Sequence, residues 1–254
     1  MTTASAVRVG LVFPELLGTY GDHGNAVILV ERCRRRGLDA ELVEVAAGTP
    51  IPESIDIYLF GGGEDDPQVM AAAGMRESRG AIERAQEGGA VIFAVCAGFQ
   101  LLGHSYEAND GEHLDGLGLI DMETTAGPSR LIGEVVVEPD PALELPVLTG
   151  FENHGGRTRL GSAERPLGRV LTGGGNGFDD GDGVLRERIV GTYLHGPVLP
   201  RNPALADLML GWVVGADLAP LDDQLVEQLR TERLEAASAT GWRARLRDLR
   251  LNRG

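Results

Sequence analysis

The sequence predicts an α/β fold of three layers: a mostly parallel central sheet with helices on both faces. Three observations lead there. Short β-branched runs alternate with helical patterns through the first hundred residues, as in a parallel sheet covered by crossover helices. One run, Ala90–Val95, is apolar at every position, as a strand buried on both faces requires. Finally, 43% of the 254 residues are apolar but only 5% are aromatic, so a core of aliphatic side chains can form.

The elements follow in order. Residues 7–13 (VRVGLVF) read as a strand closed by Pro14 and Glu15. Residues 25–36 read as a helix with Val27, Ile28, Leu29 and Val30 on one side, ending at Arg34–Arg36 and stopped by Gly37. Residues 39–45 and 55–60 read as strands, the second entering Gly61-Gly62-Gly63. A helix over about 77–88 closes at Gly88-Gly89, before the strand at 90–95 and a helix just after Cys96. The stretch 115–195 is different in kind. Its short runs, such as 133–138 and 189–194, are separated by Gly, Pro and Asn turns and read as further strands, some antiparallel. Residues 203–214 and 222–237 read as helices. The organisation expected is one domain over 1–239 and a short Arg-rich tail over 240–254.

Charge and composition exclude some roles. A formal net charge of -15 repels phosphate backbones, so no nucleic-acid partner is expected. No apolar run approaches the roughly 20 residues of a membrane span. The start MTTASAVRVG lacks a basic segment followed by an apolar one, which reads as no signal peptide and a cytoplasmic protein. The two cysteines, Cys33 and Cys96, stand in no Cys/His cluster, so no metal site is expected. No G-K-[ST] follows any glycine run, so no Walker-type ATP site is expected.

The chemistry concentrates around Cys96. An apolar strand runs into the thiol, then Ala97, Gly98 and a helical pattern, the thiol form of a nucleophile elbow. Small neighbours suit a tight, strained turn. The expected helix N-terminus would lower the thiol pKa, and the Ala97 N–H would face a developing oxyanion. The plain alternative is a buried structural cysteine, which is how Cys33, inside a helix pattern, is read. A thiolate needs a base. His195 ends the run 189–194 between glycines and is the candidate, against the alternative of a hydrogen-bonded core histidine. Gly62 and Gly63 lie past a neighbouring strand, where their N–H groups would complete an oxyanion hole; a flexible turn is the alternative. Arg130 is a candidate clamp for a carboxylate, against an ordinary surface arginine.

The segment Ala94-Val95-Cys96-Ala97-Gly98-Phe99-Gln100 resembles the G-x-C-x-G-x-Q signature of class I, triad-type glutamine amidotransferases, with Ala94 for the first glycine. The resemblance implies Cys96 as nucleophile, His195 as base and Gln100 as a contact to substrate glutamine. Most of that family reads H-x-E at the histidine, and Pro197 stands here for the glutamate. A catalytic dyad, another acid in the chain, or an acid from a partner would each account for that. The H-G-P form resembles the cobyric-acid-synthase-like branch. Within it, Tyr20-Gly21-Asp22-His23-Gly24-Asn25, the run Gly150–Thr158 and the run Tyr193–Pro197 are similar to the GatD family, glutaminase subunits of lipid II isoglutaminyl synthase, over about residues 7–214.

That resemblance implies L-glutamine as substrate and a thioester at Cys96. It implies a heterodimer with a Mur-ligase-like subunit, MurT, which would hold ATP and Mg, act on lipid II and supply the missing acid, with no cofactor in this chain. Asp22 and Asn25 would shape the site or simply cap a helix; His154 would serve the site or be structural. The rivals are a cobyrinate or cobyric acid-type amidotransferase domain, a stand-alone γ-glutamyl hydrolase of the same fold, and a non-catalytic partner that senses glutamine.

Overall fold

The computed structural model describes residues 6–19, 21–107, 111 and 113–235. The N-terminal part builds most of the sheet that carries the site. It contains β1 (Val7–Val12), β2 (Ala40–Val45), β3 (Ile57–Phe60) and β4 (Val91–Val95). The later strands β11 (Val184–Arg186) and β12 (Ile189–Thr192) complete it. The order is β11-β12-β4-β3-β1-β2, with every neighbouring pair parallel except β11 with β12. From β1 the chain goes to β2 on one side and then to β3 on the other, so the direction of winding switches between β1 and β3. The loops after β1, β3 and β4 therefore gather at the same edge. All five residues of β4 are buried, as its unbroken apolar run predicts.

Helix α1 (His23–Arg35) crosses from β1 to β2. Its buried stripe is Ala26, Leu29, Val30 and Cys33, at i, i+3, i+4 and i+7. Val27, expected on the inward side, falls between these positions and is 48% exposed. Between β3 and β4 the helix expected over about 77–88 is α3 (Arg79–Glu87), and a further helix the sequence did not announce, α2 (Asp65–Glu77), precedes it, the two broken at Ser78. The Ser78 hydroxyl accepts the Ile51 N–H at 3.0 Å, so the break also ties down the preceding loop. The inward stripe of α2 is Gln68, Ala71, Ala72 and Met75, too weakly apolar to stand out in a hydropathy pattern.

The segment between β4 and β11 forms a second sheet rather than an extension of the first. After α4 (Ala97–Gln100) come β5 (Ser105–Glu107), β6 (His113–Asp115), β7 (Met122–Pro139), β8 (Leu148–Leu160), β9 (Gly168–Thr172) and β10 (Gly181–Asp182). Its order is β10-β9-β7-β5-β6, and β8 pairs antiparallel with β7. The two sheets share a core: Val135, Val137, Leu148 and Leu167 of the second cluster with Val9, Leu11, Phe93 and Leu194 of the first. An isolated bridge from Phe151 to His195 clamps β8 to the chain leaving β12. Two helices follow, α5 (Val198–Arg201) and α6 (Pro203–Val214), the second with the bounds the sequence predicts. Residues 224–235 are helical, and the Arg-rich tail lies outside the described residues. Among the described residues no helix is long and apolar enough to cross a membrane.

Candidate active site

Cys96 stands where β4 turns into α4, with φ 50° and ψ -109°, a left-handed conformation strained for a residue with a side chain. Neighbouring strands hold it there: its N–H donates to the Thr192 carbonyl at 3.0 Å. Gly98 allows the turn to close onto β3, since a Cβ there would lie 2.5 Å from the Phe60 carbonyl oxygen. The elbow is therefore real backbone geometry, not only a sequence pattern. Its thiol does not behave as a helix N-terminus would suggest. Burial pushes it up to about 12, and the nearby Asp22 carboxylate adds to this. The Ala97 N–H and Arg130 oppose the rise without cancelling it. Helix α4 has only four residues, so its dipole is small, and desolvation wins.

His195 leaves the end of β12, the strand beside β4, and is fully buried. Its Nδ1 lies 2.6 Å from the Tyr193 carbonyl and 3.1 Å from that of Phe151. Carbonyls only accept, so Nδ1 carries the proton and Nε2 has the lone pair, the tautomer a base requires. Two backbone carbonyls thus do the orienting that a carboxylate does in a triad. Burial holds the imidazole down at about 4, with His154 acting in the same direction. The two carbonyls and Glu152 raise it by less. Pro197 caps α5 and sits against α1, where a Cβ on Gly24 would come 2.7 Å from its ring.

Gly63, Gln68, Cys96, Gln100, Arg130 and His154 line one small cavity of about 20 Å³, room for about one water. Arg130 reaches it from a register shift in the β7–β8 pair between Ala126 and Leu131, and its Nε donates to Asn153 Oδ1 at 2.7 Å. Gln100 is braced on both sides: its Oε1 accepts from Gln68 Nε2 at 3.1 Å, and its Nε2 donates to the Tyr193 hydroxyl at 3.1 Å. His154 stacks on Tyr193, ring centroids 3.7 Å apart. Its Nδ1 faces the Gly156 carbonyl at 3.0 Å, and its buried Nε2 lies 3.6 Å from Glu152. Sequence reasoning does not single out Gln68, Tyr193 or Glu152. Tyr193 and Glu152 stand inside runs that carry the family resemblance, whereas Gln68 carries no signal at all.

The glycine loop after β3 is held from two directions. Gly61 accepts the Gly98 N–H at 3.0 Å, and Gly62 donates its own N–H to Asp22 Oδ2 at 2.8 Å. Of the expected oxyanion donors, Gly62 is thus committed to a carboxylate, while Gly63 borders the cavity and Ala97 bonds the thiol. Asp22 stands at the N-cap of α1 but makes no side-chain capping bond; its carboxylate is buried and pushed up to about 6. Asn25 Nδ2 donates to Asp22 Oδ1 at 3.2 Å, and Asn25 Oδ1 accepts the Leu199 N–H at 2.9 Å. Tyr20, in the same motif, lies outside the described residues. Among the described residues no group of three His, Cys, Asp or Glu side chains could hold a metal ion.

Comparisons with known proteins agree with this geometry. The profile of the CobB/CobQ-like glutamine amidotransferase domain matches residues 8–203. The lipid II isoglutaminyl synthase (glutamine-hydrolyzing) subunit GatD of Staphylococcus aureus is 36% identical over 196 residues, covering 76% of this chain and 79% of that protein. The GatD subunit of Streptococcus pneumoniae is 34% identical, covering 79% of this chain and 77% of its own. A cobyric acid synthase of Sphingopyxis alaskensis is 31% identical over 74% of this chain but only 39% of its own length. Among solved structures, a glutamine amidotransferase superposes with a TM-score of 0.53 at 19% identity, over 81% of this chain and 98% of that one. PurLQS from Thermotoga maritima gives 0.53 at 15% identity, over 91% and 100%. These two show the fold alone. The elbow, the histidine after the neighbouring strand and the match over residues 8–203 converge: the chain belongs to the CobB/CobQ-like glutamine amidotransferases, on the branch that holds the GatD subunits.

Proposed function

We propose that this chain is the glutaminase subunit of a lipid II isoglutaminyl synthase. It releases ammonia from L-glutamine for a Mur-ligase-like partner, MurT, that amidates D-glutamate in the stem peptide to D-isoglutamine. The observation that carries the chemistry is the strained elbow of Cys96 hydrogen-bonded to Thr192 at the end of β12, three residues before His195. Cys96 Sγ attacks the side-chain carbonyl carbon of glutamine while His195 Nε2 takes the thiol proton. The tetrahedral oxyanion is met by the N–H groups of Gly63 and Ala97. His195 returns the proton to the leaving nitrogen, ammonia departs, and a γ-glutamyl thioester remains on Cys96. Water, deprotonated by His195, then attacks the thioester carbon; the C–S bond breaks, glutamate leaves, and His195 returns the proton to Cys96 Sγ. Arg130 pairs with the substrate carboxylate.

The missing triad acid supports the partner. Burial holds the Cys96 thiol up and the His195 imidazole down, so proton transfer between them is uphill in the lone chain. A carboxylate brought near His195 by a docked subunit would raise the base and close much of that gap. The partner would also hold the ATP and Mg that activate the acceptor carboxyl, and it would work in the cytoplasm. Greater coverage of the GatD proteins than of cobyric acid synthase favours this acceptor over a corrinoid one. Ammonia release from glutamine by the complex tests the reading. Cys96→Ala must abolish it; a Cys96→Ala complex that still releases ammonia removes the nucleophile and with it the reading.

A further inference from the structure

The oxyanion loop and the base sit on separate loops, after β3 and after β12, yet one line of hydrogen bonds joins them through the N-terminus of α1. At one end Gly62 N–H donates to Asp22 Oδ2 at 2.8 Å. At the other, Leu199 N–H, four residues past His195, donates to Asn25 Oδ1 at 2.9 Å. In the middle Asn25 Nδ2 donates to Asp22 Oδ1 at 3.2 Å. Both side chains are 2% exposed, so water cannot substitute for a lost partner. The chemistry of the ends dictates the middle. Two backbone donors face inward, so the two linking side chains must offer three acceptor positions and one donor. A carboxylate and an amide meet that requirement; two amides leave donors opposed, and two carboxylates oppose charges. The α1 terminus and the His195 loop also touch through Pro197 against Gly24. Asp22 makes no capping bond, so the helix does not claim its carboxylate.

We propose that Asp22 and Asn25 are positioning residues, whose shared relay holds the glycine loop and the His195 loop in register so that oxyanion donor and base act on one substrate. This deepens the glutaminase reading and rests on it for its kinetic consequence. A relay defined by donors and acceptors has a property that simple packing lacks: it can be reversed. In an Asp22→Asn, Asn25→Asp double variant, the amide now at position 22 accepts from Gly62 and donates to the carboxylate now at position 25. The second oxygen of that carboxylate accepts from Leu199. Every bond is restored with the charge moved one position along.

The test uses the full chain with its ligase partner at pH 8, above the ionisation of Asp22 at about 6. Asp22→Asn and Asn25→Asp singly are expected to lower the kcat for glutamine hydrolysis by about tenfold or more, with KM changed less than about threefold. The double variant is expected to return to within about threefold of wild type. Amide hydrogen exchange at Gly62 and Leu199 should quicken in each single variant and slow again in the double. A single variant with unchanged kcat overturns the proposal. So does a double variant that fails to fold, or that recovers neither rate nor protection. The exchange readout does not depend on turnover. A wild-type complex inactive on glutamine would overturn the glutaminase reading, while unchanged exchange in the single variants would overturn the relay.

Discussion

Cys96 illustrates how far a residue's chemistry depends on what surrounds it. The elbow pattern marks it as a nucleophile, yet burial and Asp22 push its thiol up to about 12. Below its pKa a thiol gains thiolate about tenfold per pH unit. In a Cys33→Ala background, alkylation of Cys96 by iodoacetamide in the lone chain should therefore climb about tenfold per unit from pH 7 to 9, and a plateau below pH 8 would contradict the burial. His195 lies on the other side of the balance. Its tautomer is fixed by carbonyls, so His195→Ala should cost roughly 10² or more in glutamine hydrolysis while leaving the fold intact by circular dichroism. The turn at Cys96 and the glycine loop after β3 were legible because elbows and strand-end glycines have local signatures. The engagement of Gly62 by Asp22 was not, since a hydrogen bond 40 residues apart leaves no trace in spacing.

The elements are held by buried polar ties as well as by their apolar stripes. Arg32 of α1, with a side chain only 2% exposed, reaches Asp207 of α6 at 2.6 Å and Asp223 at 2.7 Å. Asp207→Ala would strand that guanidinium with one partner and take a contact from Arg36. A loss of about 2–4 kcal/mol by urea unfolding is expected. In the turn between β9 and β10, Asn176 binds one residue from both sides: its Nδ2 donates to Gly183 O at 2.9 Å, and its Oδ1 accepts Gly183 N–H at 2.8 Å. Asn176→Ala leaves two buried groups unsatisfied and should cost about 2–3 kcal/mol by the same measure. Most of the central sheet was readable, because doubly buried strands are apolar throughout and α6 begins at a proline and ends at Gly215. Helix α2 escaped because alanine and glutamine face inward. The second sheet was readable only as strands: β7 and β8 carry a register shift and alternate half-buried residues, which fixes neither partner nor length.

At the scale of the whole molecule, the second sheet adds a wall to the parallel α/β platform at Cys96. Through Phe151 it clamps His195, and through Arg130 and His154 it roofs Cys96. The resulting cavity of about 20 Å³ is narrow, and burial holds the Cys96 thiol up and the His195 imidazole down. These directions fit the proposed glutaminase subunit, whose hydrolysis of glutamine would wait on a partner. Dependence on the partner is therefore the central claim. The measurement is glutamate release from L-glutamine by the purified chain, with and without a co-expressed Mur-ligase-like protein. A slow lone chain is expected, with a rate at least about tenfold higher in a stable complex, as a tuned acid–base pair would give. A lone chain that is fully active and forms no complex would contradict that claim and leave a self-sufficient hydrolase in its place.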